Sequence, residues 1–214
     1  MKKLKWHLAQ WLELRWWKRY LRHKNKHEYL SWKKDYWKNI LENIEDVAPV
    51  DAVKTICDLG CGPAGIFIAM PQNNITAVDP LLNEYEKQIP FFSKSYYPNV
   101  QFVESTMENF SVAAKYDLVF CMNAINHVHD IEKAFDKLKA ICTENGTVVI
   151  SIDVHNYSFF KYLFRLVPGD VLHPYQYDLN EYKSFLENRG MKILKTELLK
   201  KEFLFNHYLI VVRR

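Results

Sequence analysis

Apolar side chains at Tyr29, Trp32, Tyr36, Trp37, Ile40, Leu41 and Ile44 recur every three to four residues. That spacing predicts a helix over 28–45 that stops before Pro49. Residues 2–22 are also helix-prone, but their apolar face rotates. Leu4, Leu8, Trp11 and Leu12 share one side; Arg15, Arg19 and Arg22 then occupy it while Trp16, Trp17, Tyr20 and Leu21 point elsewhere. Such a pattern predicts either two short helices or one helix with contacts on two faces.

From residue 54 the rhythm changes to alternation. A strand over 55–59 meets a glycine-rich turn and a short helix ending at Pro71. Further strands fall at 75–78, ending at Asp79, then at 100–104, at 117–122 and, after Gly146, at 147–153. A helix at about 130–143 separates the fourth and fifth. A helix over 180–189 precedes strands 192–198 and 207–212, which have no helix between them. Strands alternating with helices imply a parallel sheet covered on both faces, and the last two strands should pair antiparallel at one edge. There is no internal repeat or low-complexity linker. The expected organisation is a helical cap over 1–48 and one α/β domain over 49–214.

The chain has 214 residues, 49% hydrophobic and 25% charged, enough for one domain with a full core. No apolar run approaches the ~20 residues of a membrane span. The basic N-terminus is interrupted by charges and does not read as a secretory signal. Cys57, Cys61, Cys121 and Cys142 lack zinc-site spacing and read as reduced thiols of a cytoplasmic protein. The net charge of +4 conceals an asymmetry: residues 1–40 carry about +9 and all six tryptophans, and the remainder carries −5. This lead reads as a cap roofing an active site, with Tyr36 and Trp37 reaching the crevice. It also suits peripheral contact with a membrane surface or, less well, phosphate and base contacts of nucleic acid.

The sharpest chemical signal is Ile56-Cys57-Asp58-Leu59-Gly60-Cys61-Gly62-Pro63-Ala64-Gly65. A buried strand runs into glycines, which permit a sharp turn and close approach of main chain to a nucleotide-like ligand. Gly60-x-Gly62-x-x-Gly65 alone also fits a dinucleotide fingerprint. Asp58, two residues before the first glycine, can meet an ammonium group, and the closing strand pair without a helix departs from the dinucleotide pattern. Asp79 can take ribose hydroxyls of either cofactor.

Asp58-Leu59-Gly60-Cys61-Gly62 resembles motif I of class I S-adenosylmethionine (SAM) methyltransferases. Ala77-Val78-Asp79-Pro80-Leu81 resembles their motif II, and Tyr116 to Ala124 their fourth-strand motif. Asn126-His127-Val128-His129-Asp130 resembles the segment after that strand, and Asn145-Gly146-Thr147 the turn into strand five. The resemblance covers about residues 50–150 and, weakly, the end of the chain. It implies a Rossmann-like three-layer α/β sandwich with a seven-stranded, mostly parallel sheet of order 3-2-1-4-5-7-6, the last strand antiparallel. It implies that Asp58, Gly60 and Gly62 flank the methionine part of SAM and that Asp79 holds the ribose. Pro80 or Leu81 would lie against the adenine, with Thr106, Met107 and Asn123 completing the cofactor site. Thr106 stands near the place of the acidic residue that often binds the adenine amino group in this family, and the Met107 backbone can substitute.

Methyl transfer is an in-line displacement at an activated carbon, so the protein must chiefly align the nucleophile and remove a proton. Histidine suits that step, and the candidates are His127 and His129 after strand four and His155 after strand five, with His127 and His155 preferred. Tyr36, His173 and Tyr175 are the candidate acceptor contacts. His127 and His129 lack the company of a metal triad, and no metal is expected. Place 123–126 reads Asn-Ala-Ile-Asn rather than the segment of base-flipping amino methyltransferases, and no Pro-Cys pair occurs. The expected reaction is methyl transfer from SAM, leaving S-adenosylhomocysteine, to oxygen, nitrogen or carbon of a small-molecule or lipid-like acceptor, with nucleic acid disfavoured. A NAD(P)-dependent oxidoreductase and a non-catalytic SAM-fold binding protein are the alternatives.

Overall fold

In the computed structural model, residues 3–50, 55–112, 114–155, 177–203 and 205–214 are described, with backbone alone for 3–5 and 155. Two helices, α1 (Lys3–Leu21) and α2 (Lys26–Ile44), lead into seven strands. These are β1 (Ile56–Leu59), β2 (Ile75–Asp79), β3 (Val100–Glu104), β4 (Tyr116–Met122), β5 (Cys142–His155), β6 (Lys192–Lys201) and β7 (Phe205–Arg213). Helices α3 (Leu82–Gln88), α4 (Ile131–Ile141) and α5 (Leu179–Glu187) complete the described set.

The strands form one sheet of order β3-β2-β1-β4-β5-β7-β6. β7 runs antiparallel to both neighbours and the other described pairs are parallel. Side chains alternate across it. Ile56, Ala77, Leu118, Phe120, Val149 and Val211 face a core shared with α1, α2 and α3. Cys57, Leu59, Val119, Val148, Ile150 and Val212 face a second core under α4 and α5. The stripe Ile131, Ala134, Phe135, Leu138 and Ile141 makes α4 amphipathic, and all five residues are buried. Each buried Leu, Ile or Phe there contributes about 1.5–3 kcal/mol.

Residues 3–21 form a single helix, resolving the two options for the lead. Its rotating apolar pattern reflects two kinds of surroundings: Ala9 and Leu21 are buried, whereas Leu8, Trp11 and Trp16 are exposed. The break before α2 is set by Asn25, whose side chain accepts the N–H groups of His27 (2.9 Å) and Glu28 (3.3 Å) and so caps the new helix.

Two expectations are corrected. The helix expected to end at Pro71 is absent; two 3-10 turns, Gly62–Ala64 and Ile66–Ala69, take its place. Gly65 between them is extended (φ −71°, ψ −178°), and the Asp58 carboxylate accepts the Ile66 N–H at 2.9 Å. Helix α2 packs against the second turn, and Trp37 Nε1 donates to Ala64 O at 2.9 Å. The fifth strand begins at Cys142, not at Thr147. Cys142 pairs with Tyr116 on β4, and an irregularity between Tyr116 and Leu118 absorbs the surplus residues.

Candidate active site

A cavity of about 500 Å³ lies at the carboxyl ends of the parallel strands, the usual position for ligands in open α/β sheets. Its floor is the turn after β1. Gly60 (φ 78°) and Gly62 (φ 59°) adopt left-handed backbone, which other residues enter at a cost. Gly60 N and Cys61 N both donate to Val78 O, at 2.7 and 3.1 Å. Gly62 N donates to one Asp79 carboxylate oxygen and Leu81 N to the other, each at 2.9 Å. The first two strands thereby hold the turn rigid, with Asp79 5% exposed at its edge.

The walls come from the segments after β3 and β4, and the roof comes from the two N-terminal helices. Ser105, Thr106 and Met107 line one side, and Asn123, Ala124 and His127 the next. Gln10, Glu13, Trp17 and Tyr20 reach in from α1; Tyr29, Trp32, Lys33, Tyr36 and Trp37 reach in from α2.

Charge is concentrated in little water. Burial raises Asp58 to about 7, the neighbouring Asp79 adding to the rise and the Ile66 N–H and Lys33 opposing it. Burial raises Asp79 to about 6 against the hydrogen bonds from Leu81 and Gly62, with Glu104 pushing the same way as burial. Glu13, which accepts the Tyr85 hydroxyl at 3.2 Å, is raised to about 8 by burial and then by Asp79. Burial lowers Lys33 to about 8, opposed by Asp58. Its ammonium sits 4.2 Å from the Trp37 ring centroid and 4.8 Å from that of Tyr36, within cation–π range.

Most of the residues singled out in the sequence converge here. Gly60, Gly62, Asp79, Pro80, Thr106, Met107, Asn123, His127 and Tyr36 all line the cavity. Asn123 holds a left-handed backbone (φ 52°) and donates its N–H to Ser151 O at 2.9 Å. Asp58 lies beneath the floor, 1% exposed, and braces the turn from below. Leu81 packs into the core beside α3. His155 ends β5, paired in register with Phe205. His173 and Tyr175 lie outside the described residues.

Sequence reasoning missed Gln10, Glu13 and Lys33, which sit among many charged and aromatic neighbours that give no sign of which way each points. It also missed Asp153 and His207. These stand opposite one another on β5 and β7, with His207 Nδ1 and Asp153 Oδ1 2.7 Å apart, and both line the cavity. Only the register of β5 against β7 sets which residue faces Asp153. Among the described residues no group of three or more His, Cys, Asp or Glu could hold a metal ion, and no helix is long and apolar enough to cross a membrane.

The chain is similar in sequence and in fold to known proteins. Ubiquinone biosynthesis O-methyltransferase of Rickettsia akari (strain Hartford) is 32% identical over 100 residues, covering 45% of this chain and 39% of that protein. The chain thus spans less than half the length of that relative. Among solved structures, N-methyltransferase NodS of Bradyrhizobium japonicum WM9 in complex with S-adenosylhomocysteine superposes with a TM-score of 0.61 at 11% identity, covering 89% of this chain and 98% of that one. Magnesium protoporphyrin IX methyltransferase of Synechocystis PCC 6803 with bound S-adenosylhomocysteine gives 0.59 at 14% identity, covering 85% and 83%. At these identities the likeness to both structures is one of fold. The family model described as a methyltransferase domain matches residues 21–196, and the chain belongs to that family.

Proposed function

We propose that the protein is a SAM-dependent methyltransferase acting on oxygen, nitrogen or carbon of a small-molecule or amphiphilic acceptor. The observation that carries this reading is the floor of the cavity: two left-handed glycines tied through Gly62 N to the buried carboxylate of Asp79. A carboxylate has about four lone-pair sites, and the two N–H groups on Asp79 leave room for a pair of ribose hydroxyls. A second observation fits a polar occupant. Gln10 and Tyr29 line the cavity, and Gln10 Oε1 and Tyr29 Oη are buried with no hydrogen-bond partner among the described residues. Buried polar atoms are rarely left in that state. The cavity volume falls within the roughly 300–1,000 Å³ of small-molecule sites.

In this reading Gly60, Gly62 and Asp79 hold the cofactor, Asp58 fixes the turn that does so, and Pro80, Thr106, Met107 and Asn123 border its adenosine side. Bound SAM supplies an electrophilic methyl carbon on sulfonium sulfur. The chain's own residues exclude water through the roof of α1 and α2 and orient the acceptor beside Tyr36; His127, on the cavity wall, and His155, at the end of β5, are the proton-accepting candidates that the sequence offered, beside which the cavity adds His207. The name of one sequence relative, a ubiquinone biosynthesis O-methyltransferase, supports a small or lipid-like acceptor. The exposed outer residues of α1, Leu8, Trp11, Arg15 and Arg19, would suit a peripheral lipid surface.

Calorimetry with S-adenosylhomocysteine, SAM and NADH tests the reading. It expects binding of the first two, strong weakening in Asp79→Ala and loss in Gly60→Val. NADH binding in place of S-adenosylhomocysteine, or unchanged affinity in both variants, would overturn it.

A further inference from the structure

We infer that Asp153 and His207 form a proton-accepting pair for the methyl acceptor, and that the acceptor is therefore protic, an O–H or N–H nucleophile. The inference rests on the methyltransferase reading and deepens it. The two residues are cross-strand partners on β5 and β7, neighbours through the one antiparallel junction with the parallel part of the sheet. His207 Nδ1 lies 2.7 Å from Asp153 Oδ1. With that carboxylate ionised, Nδ1 must carry the hydrogen, leaving the Nε2 lone pair as the acceptor. Among the described residues Nε2 has no hydrogen-bond partner, and the residue lines the cavity.

The position in the sheet suits an acceptor site. Asp79 ends β2 and His207 lies on β7, four strand spacings away in the order β2-β1-β4-β5-β7. At about 4.8 Å per spacing the two are roughly 19 Å apart, at opposite ends of one cavity. A cofactor whose ribose is held at Asp79 leaves the β5–β7 end for its partner. Tyr36 covers that end: it lines the cavity, and the charge of Asp153 adds to burial in raising its hydroxyl.

The step balances without a further reagent. The acceptor O–H or N–H bond breaks and its proton goes to His207 Nε2. The freed pair forms the bond to the methyl carbon, and the carbon–sulfur bond breaks with its electrons remaining on sulfur as a neutral thioether. The imidazolium, stabilised by Asp153, returns its proton to solvent. Other charged and titratable groups around the pair are Tyr36 on α2 and Lys200 on β6, itself paired with Glu202, while Tyr182 on α5 feels the Asp153 charge from the core on the other face of the sheet.

The test uses the full chain, S-adenosylhomocysteine and 4-nitrocatechol, a protic aromatic whose ionised form absorbs visible light. Calorimetry comes first: wild type, His207→Gln and Asp153→Asn should bind S-adenosylhomocysteine within about twofold of one another. Failure of the wild type there sinks the methyltransferase reading as a whole. With that binding intact, bound 4-nitrocatechol should ionise at least one pH unit lower in wild type than in His207→Gln, with Asp153→Asn between them. With SAM, kcat for the catechol should fall about 10²–10⁴-fold in His207→Ala at unchanged KM for SAM, and free imidazole should restore part of it. No bound nitrocatechol, the same ionisation midpoint in wild type and His207→Gln, or retained turnover in His207→Ala would each overturn the pair's role while leaving the cofactor reading in place.

Discussion

The two left-handed glycines of the floor should respond differently to the smallest possible substitution. At Gly60 a methyl group would be driven into the Cβ of Ala124, well inside van der Waals contact, on a backbone at φ 78°. At Gly62, φ 59°, the nearest atom to an added methyl is on the Trp17 ring at 3.6 Å, an ordinary contact across the cavity. Left-handed backbone costs a non-glycine residue about 1–2 kcal/mol, and overpacking adds roughly 1–3 kcal/mol. Gly60→Ala should therefore lose about 2–5 kcal/mol of unfolding free energy and Gly62→Ala only about 1–2 kcal/mol. Binding should divide the other way for a given loss of stability. The Gly62 methyl would project into ligand space and weaken S-adenosylhomocysteine about tenfold or more in a protein that remains well folded. Urea unfolding followed by far-UV circular dichroism, with calorimetry on the folded variants, measures both quantities. Equal stability losses, or a larger loss at Gly62, would refute the packing argument; unchanged affinity in Gly62→Ala would refute the placement of the ligand.

Other perturbations have defined outcomes. Glu13 has a folded value near 8 against an ordinary 4.5, so the folded state holds its proton more tightly and this contribution to stability falls as pH rises between those values. Glu13→Gln removes that loss: calorimetric scans of the ligand-free protein should show the Tm difference, variant minus wild type, growing from pH 5 to pH 8.5, and a constant difference would contradict the assignment. Trp37→Phe leaves the buried Ala64 carbonyl without its indole donor and should cost about 1–3 kcal/mol in urea; no loss would show that another donor takes over. Arg189, 13% exposed, joins Glu132 and Asp136 of α4 to the end of α5. Because both carboxylates are largely exposed, Arg189→Ala should cost only about 1–2 kcal/mol, shrinking with added salt; a salt-independent loss would place the effect in packing.

The strand pattern was legible because the central strands hold apolar runs such as Leu118 to Met122, Val148 to Ile150 and Leu209 to Val212, whereas the edge strands β3 and β6 mix in more polar residues. The order of the sheet came through the resemblance. The turn at 58–65 was legible because glycine at those places has a steric reason. What the sequence concealed was local competition. In place of the short helix expected before Pro71, Pro63 together with the Asp58–Ile66 bond divides the segment into two 3-10 turns. The inward aim of Glu13 and Lys33 depends on how α1 and α2 dock, which a helix with apolar groups on several sides does not fix. Asp153 and His207 are 54 residues apart, and only the register of β5 against β7 brings them together.

All six tryptophans lie within the first 37 residues, and five of them, Trp6, Trp16, Trp17, Trp32 and Trp37, border the cavity. Intrinsic fluorescence therefore watches the roof and is nearly blind to the sheet. An emission change on adding a ligand would report events at the mouth of the site without any label. During denaturation the same signal would follow the detachment of two helices, so an emission midpoint earlier than that of the backbone ellipticity would measure how loosely the roof is held.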